Sequence, residues 1–260
     1  MYAKIETHFD NSNKFDIYDE LIWSKGHDYI FDLLYKLSVE YSSNKKIILF
    51  VVDDYQYPLG IYDNQIVVRT SICKSLKCYN ELVLPYIFEP IEKFAPFNRI
   101  KKPVVSFCGL NSEHRQSTIK EFESSDNIQT NFILRDKFWG GKPHDPLVID
   151  EFRENIKNSY YVICNRGAGN FSMRFYQVLS AGRIPVLLNT DIELPFVDII
   201  NWSEYIIMAD TNEELVKKVL EHYDTVDIIE QQIKNAEMYE KYFTPDNYAK
   251  HLLNYLNNNF

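Results

Sequence analysis

Arg166, Gly167, Gly169, Ser172 and Arg174 fall together in the run NRGAGNFSMR, and that combination suits an anion. Glycines let a backbone approach a phosphate closely, and arginines add forked, charge-assisted contacts to its oxygens. Ser172 brings a hydroxyl donor. Side chains able to accept a proton lie elsewhere: Asp28 in KGHDY, and Asp53-Asp54 directly after the apolar run IILFVV. His144 and Asp145 in KPHDP are weaker candidates of the same kind. An anion cradle on one side and a general base on another is the equipment for group transfer from a phosphate leaving group.

Regular elements must hold these residues in place. Tyr160–Cys164 and Ile184–Leu188 are short apolar runs suited to strands buried on both faces. Between them Ser172–Ala181 has helical spacing: Phe171, Phe175, Val178 and Leu179 fall on one side, Asn170, Arg174, Gln177 and Ala181 on the other. Gly182 stands where a helix end favours a left-handed residue. Two parallel strands joined by a crossover helix put residues 165–171 at the carboxyl end of a sheet. There the free N–H groups and dipole of the helix start favour an anion.

Upstream, the pattern predicts a helix at Asp28–Leu37, a strand at Lys46–Val52 ending in Asp53-Asp54, strands at Gln65–Arg69 and Glu81–Leu84, and a short helix at Ser71–Lys77. Prolines and charges over Ile91–Lys102 mark a linker. A second α/β half then begins with a strand at Val104–Cys108. It continues through a helix at Ser112–Glu123 that carries Arg115, a strand at Thr130–Leu134 and a surface loop at Asp136–Pro146 with Trp139 exposed. Helices are predicted at Asp150–Lys157, Thr211–His222, Ile228–Tyr242 and Pro245–Asn254.

Other readings of the cradle remain open at this stage. Gly167-x-Gly169-x-x-Ser172 with Asp191 beyond the next strand loosely follows the fingerprint of a nicotinamide dinucleotide site, with Ser172 in place of the third glycine. Alternatively, Arg166 and Arg174 are ordinary surface residues.

A longer set of residues resembles the exostosin family of glycosyltransferases. Arg166-Gly167, Ser172-x-Arg174, Leu179-x-Ala181-Gly182-Arg183-Ile184-Pro185-Val186, Leu194-Pro195-Phe196-x-Asp198 and Trp202 follow the order of that family's donor-binding half. Trp23–Tyr29, Glu81–Pro85, Pro103–Gly109 and Arg115 are similar to its upstream landmarks. Two positions depart from the pattern. Gln177 stands where relatives carry a glutamate that binds ribose, and Tyr29 where they carry a histidine, with His27 two residues earlier.

The resemblance implies two Rossmann-like α/β domains facing a cleft, the GT-B type of architecture. Residues 1–98 would form the acceptor side and 99–242 the nucleotide-sugar side, with 243–260 a helix returning to the first domain. It implies an inverting, metal-independent glycosyltransferase using a UDP-sugar donor and a carbohydrate acceptor. The donor would meet Gly109, Arg115, Arg166, Gly167, Gly169, Ser172, Arg174, Gln177 and Asp191, with Glu193 nearby and Pro195, Phe196 and Trp202 packing the loop. Asp28, Asp53 and Asp54 are the expected candidates for the base. A catalytically silent sugar-binding module is the remaining alternative.

Composition agrees with a folded enzyme. The 260 residues are 45% hydrophobic and 15% aromatic, against disorder. A net charge of −9 argues against nucleic acid or an anionic membrane as the main partner. No apolar run reaches the length of a membrane span and the N-terminus lacks a signal-peptide core, so a cytoplasmic location is the expectation. Cys73, Cys78, Cys108 and Cys164 lack metal-ligand spacing. Cys108 and Cys164 end apolar runs, as reduced core thiols do.

Overall fold

Residues 15–18, 27–40, 45–86 and 90–260 are described by a computed structural model. Two parallel sheets carry the fold, as the resemblance implied. In the first, β1 (Phe15–Tyr18), β2 (Lys46–Val51), β3 (Gln65–Arg69) and β4 (Glu81–Val83) pair in chain order. Side chains alternate across a strand, so β2 and β3 serve two cores. Ile47, Leu49, Val51 and Val67 meet Ile30, Leu33, Leu34 and Leu37 of α1 (His27–Glu40). On the other face Ile48, Phe50, Ile66 and Val68 join a cluster containing Tyr248, Leu252 and Leu256. A buried ion pair, Arg69 to Glu81 at 2.7 Å, ties β3 to β4.

The second sheet has the order β6-β5-β7-β8-β9, with β5 (Val104–Leu110), β6 (Gln129–Arg135), β7 (Tyr161–Ile163), β8 (Ile184–Leu188) and β9 (Ile207–Ala209). One face is covered by α2 (Glu113–Glu123) and α5 (Asn212–Thr225), whose Ile119, Phe122, Leu215 and Val219 pack on Val105, Phe107, Ile163 and Val186. The other is covered by α3 (Pro146–Lys157) and α4 (Met173–Ser180), with Ile156, Val178 and Leu179 packed near Val162, Cys164 and Leu187. From β5 the chain runs outward to β6 and then back across to β7 on the other side. The order therefore reverses between β5 and β7, which opens a crevice beyond their carboxyl ends.

Helices α6 (Ile228–Tyr242) and α7 (Pro245–Asn259) complete the chain. The α7 residue Tyr248 donates its hydroxyl to Val83 O at 3.0 Å, and Phe260 stacks on Tyr79. A single apolar cluster runs from β2 and β3 through α4 into β7 and α7, so the halves share core. Polar stitches accompany it. Ser75 Oγ donates to Asp191 at 2.5 Å, Lys77 pairs with Glu193 at 2.6 Å, and Asn170 Nδ2 donates to Ile72 O at 3.1 Å.

Several expectations change. The helix expected at Ser71–Lys77 is a single 3-10 turn, Lys74–Leu76. Ser71 is buried outside it, donating to Asp54 O and accepting from Asn170 N. Helix α3 begins at Pro146 rather than Asp150, because Asp145 accepts from Leu147 N and Pro146 occupies the first turn. Asp145 thus caps α3. Strands β9 and β1, of three and four residues, add to those expected from the sequence. All four cysteines are free, and no helix among the described residues is long and apolar enough to cross a membrane.

Candidate functional site

A cavity of about 640 Å³ fills the crevice between the halves. Cys108, Gly109 and Leu110 at the carboxyl end of β5 line it together with Gly167, Gly169 and Ser172 of the loop that follows β7. Helix α4 starts there, with Ser172 in extended conformation before it and the Ser172 hydroxyl making no capping bond. Every residue from Arg174 to Ser180 is buried, so the polar side of this helix faces the cavity and neighbouring strands rather than solvent.

Arg174 leaves the first turn of α4 and lies across the strand ends. Its Nη2 donates to Cys108 O at 2.8 Å and its Nη1 to Ile163 O at 3.3 Å. The guanidinium sits 4.4 Å from the Phe107 ring centre, and 5.7 Å from that of Phe152. Arg115, on α2, approaches the same Phe107 ring at 5.5 Å and donates to Leu110 O at 2.9 Å. Both side chains are buried, 9% and 6% exposed. Among the described residues neither forms an ion pair, in contrast to Arg69, which has Glu81. Burial, then the Arg174 charge, lowers the Arg115 pKa to about 10, and burial also lowers that of Arg174. Arg115 stays a cation at neutral pH at that value. The nearby thiols do not balance the charge, since burial pushes Cys164 up to about 12 and raises Cys108 as well. Two adjacent buried cations without a carboxylate are unfavourable until an anion arrives.

The glycines make room for this arrangement. A β-carbon on Gly109 would stand 2.7 Å from Arg174 Nη2, and one on Gly167 would touch Arg115 Nη2 at 3.7 Å. At Gly169 it would meet Asp54 Oδ1 at 2.7 Å and Asp54 Cα at 2.9 Å. Gly169 N donates to that same Asp54 oxygen at 3.1 Å, so the loop is pinned to the first half. Asp53, its neighbour, accepts from Tyr55 N at 2.5 Å, and its backbone is held by Thr70 Oγ1. Both carboxylates line the same cavity as the arginines.

The cavity thus brings together Asp53, Asp54, Gly109, Arg115, Gly167, Gly169, Ser172, Arg174 and Gln177. Two predicted contacts are not among its lining. Arg166 folds over its own loop, its Nη2 donating to Ala168 O at 2.6 Å. Asp191 adopts a left-handed backbone, φ 60°, and gives its carboxylate to Ser75 N and Oγ, a tie between the halves. Glu193 is likewise occupied by Lys77. Asp28 lies at the start of α1, and its side chain falls outside the described residues, as does the Trp23–Gly26 landmark.

Three features of the site have little signature in the sequence. Asn170, placed on the polar side of a helix, lies before it and is 1% exposed. Its side chain donates to Ile72 O, Thr190 O and Asp191 O and accepts from Thr190 Oγ1. Asn165 braces the other end of the loop, donating to Thr118 Oγ1 at 2.7 Å and accepting from Leu188 N at 2.8 Å. Phe107 and Phe152 form the aromatic bed under the arginines. An asparagine flanking each end of a glycine loop was the available signal for the first two.

Residues 81–222 match the model of the exostosin GT47 domain. The chain is 30% identical over 171 residues to exostosin-1b of Danio rerio, covering 60% of this chain and 22% of that protein. To exostosin-1 of Bos taurus it is 30% identical over 99 residues, 36% of this chain and 13% of the relative. To the probable glycosyltransferase At3g07620 of Arabidopsis thaliana it is 26% identical over 135 residues, 48% of this chain and 28% of the relative. It therefore spans only a small part of these proteins. Among solved structures, looser likenesses are to S. aureus MnaA with UDP (TM-score 0.37, 10% identity, 90% of this chain and 80% of that one) and to the spinosyn rhamnosyltransferase SpnG with thymidine diphosphate (TM-score 0.35, 10% identity, 75% and 63%).

Proposed function

The chain belongs to the exostosin GT47 family, and on that premise we propose that it moves a sugar from a UDP-sugar to a hydroxyl of a carbohydrate acceptor. The observation that carries this reading is the pair Arg115 of α2 and Arg174 of α4, both buried at one cavity and neither in an ion pair among the described residues. A diphosphate supplies the missing negative charge. It would meet two guanidinium groups, the free end of a helix and the Ser172 hydroxyl in one place. These groups stabilise the charge that grows on the departing diphosphate, the function a divalent metal serves in other transferases. The reading is accordingly metal-independent.

Asp53 and Asp54 face that site from the other half. Asp54 accepts from Gly169 N of the other half and sets the position of the loop, whereas Asp53 accepts from Tyr55 N of its own half, so Asp53 is the proposed base. The acceptor oxygen attacks the anomeric carbon from the side opposite the diphosphate. Its proton passes to the Asp53 carboxylate as the bond from carbon to phosphate oxygen breaks, and the configuration inverts. Gln177, on the cavity wall, offers an amide to the ribose hydroxyls. The nicotinamide reading loses its acidic residue, because Asp191 is engaged by Ser75.

Calorimetry with UDP and NAD, followed by UDP-sugar hydrolysis with and without chelator, tests the proposal. UDP binding and chelator-resistant turnover are expected. NAD binding in place of UDP would defeat the donor assignment, and turnover lost to chelator and restored by divalent metal would defeat the metal-independent one.

A further inference from the structure

Beside the arginines the cavity has an apolar wall that the transfer chemistry leaves unused. It consists of Val148, Ile149 and Phe152 of α3 with Phe138 and Trp139 of the preceding turn. Phe138 is 60% exposed and Trp139 48%, two large rings held at the mouth of a crevice. Trp139 is also left-handed, φ 55° and ψ 26°, a conformation that side chains other than glycine rarely adopt.

The turn is braced to stay that way. Gly140 N donates to Lys137 O and Lys142 N to Trp139 O. Gly140, left-handed too, leaves room for the Arg135 guanidinium in the place of its missing side chain. Arg135 pairs with Glu151 of α3 and reaches Cys108 Sγ at 3.8 Å. Cys108 is the residue whose carbonyl holds Arg174. The exposed indole is thus anchored through Arg135 to the strand end that positions the diphosphate, and Phe152 continues the wall to the Arg174 guanidinium.

We propose that Trp139 is a stacking platform for the planar base of the bound nucleotide, an inference that rests on the nucleoside-diphosphate reading above. The indole belongs to the half that carries the arginines, whereas Asp53 and Asp54 belong to the first half, so the platform serves the donor. A base stacked there gains dispersion contact with the ring and covers apolar surface that otherwise faces water.

The test is calorimetric titration of UDP and of inorganic pyrophosphate into the wild type, Trp139→Ala and Trp139→Phe. UDP affinity is expected to fall about tenfold to a hundredfold in Trp139→Ala, to persist largely in Trp139→Phe, and pyrophosphate affinity to stay level in both. Tryptophan fluorescence of the wild type should also be quenched by UDP, with the quenching lost in Trp139→Phe. Equal loss of UDP and pyrophosphate in Trp139→Ala would make the residue a brace for the arginines and overturn the proposal. Unchanged UDP affinity in Trp139→Ala would overturn it as well while leaving the donor site standing. A wild type that binds neither probe would instead remove the donor reading, and the platform with it.

Discussion

Arg174 fills the space that a side chain on Gly109 would need: a β-carbon there would lie 2.7 Å from its Nη2. Gly109 also has φ 154°, outside the usual range for side-chain-bearing residues. The glycine at the end of β5 is therefore a requirement of the arginine on α4, although the two stand 65 positions apart in separate elements. Gly109→Ala should displace the guanidinium and weaken UDP binding by about tenfold or more, the worth of a charged hydrogen bond. Arg174→Ala should do the same, and calorimetry on both variants compares them. UDP affinity at the wild-type level in Gly109→Ala would show that the guanidinium acts from another position.

Arg115 should trade stability against binding. It is buried, makes one hydrogen bond to Leu110 O and has no ion-pair partner among the described residues. Arg115→Met keeps most of the side-chain volume and removes the charge. Without ligand the variant should be as stable as the wild type, or more stable by up to about 2 kcal/mol, while UDP affinity falls about tenfold or more. Urea unfolding measures the first and calorimetry the second. A loss of stability together with unaltered UDP binding would make Arg115 a structural residue.

Asp53 and Asp54 should separate in kinetics. Asp53→Asn is expected to keep UDP affinity and lower kcat by about a hundredfold to ten-thousandfold. Asp54→Ala frees the Gly169 loop and should weaken UDP binding first. Steady-state rates and UDP titrations on each variant decide the assignment, and the opposite pattern would make Asp54 the base.

Acid should weaken the second half through His222. Burial, and then the Arg99 charge, lowers its pKa to about 4, and its ring is hydrogen-bonded to the buried Tyr161 hydroxyl at 2.8 Å. The unfolded chain takes up that proton near pH 6.5 and the folded chain does not. The stabilisation is therefore complete above pH 6.5 and is lost as pH falls from there toward 4. After a discount for partial exposure the loss is on the order of 2 kcal/mol. His222→Gln, which preserves a partner for Tyr161, should flatten this part of the stability profile in urea titrations at pH 7 and pH 5. A profile equally steep in the variant would place the effect elsewhere.

Local pattern revealed what is local in this chain. Apolar runs such as 47–52 and 184–188 announced strands, and the glycines and arginines around residue 170 announced an anion site. The contacts that join the halves left no such trace. Asp191 looks like a ribose ligand in sequence, and only the approach of Ser75, 116 positions earlier, gives its carboxylate another use. Asn170 has helical spacing with Arg174, yet its hydrogen bonds go to Ile72 and Thr190, so tertiary demand overrides the helix. The aromatic bed of Phe107 and Phe152 was hidden for a different reason: in sequence both read as ordinary core.

The contact of Tyr248 with Val83 joins positions 165 residues apart. Since Tyr248, Leu252 and Leu256 pack with one face of the first sheet, part of its cover among the described residues is made only after the second half. Its strands emerge from the ribosome early and must wait for the second half to be made before their apolar side is closed. A ribosome-bound chain stalled before Pro245 would lack the contribution of Tyr248, Leu252 and Leu256 to the cluster of Ile48, Phe50, Ile66 and Val68. The first sheet, although first in order of translation, is completed last.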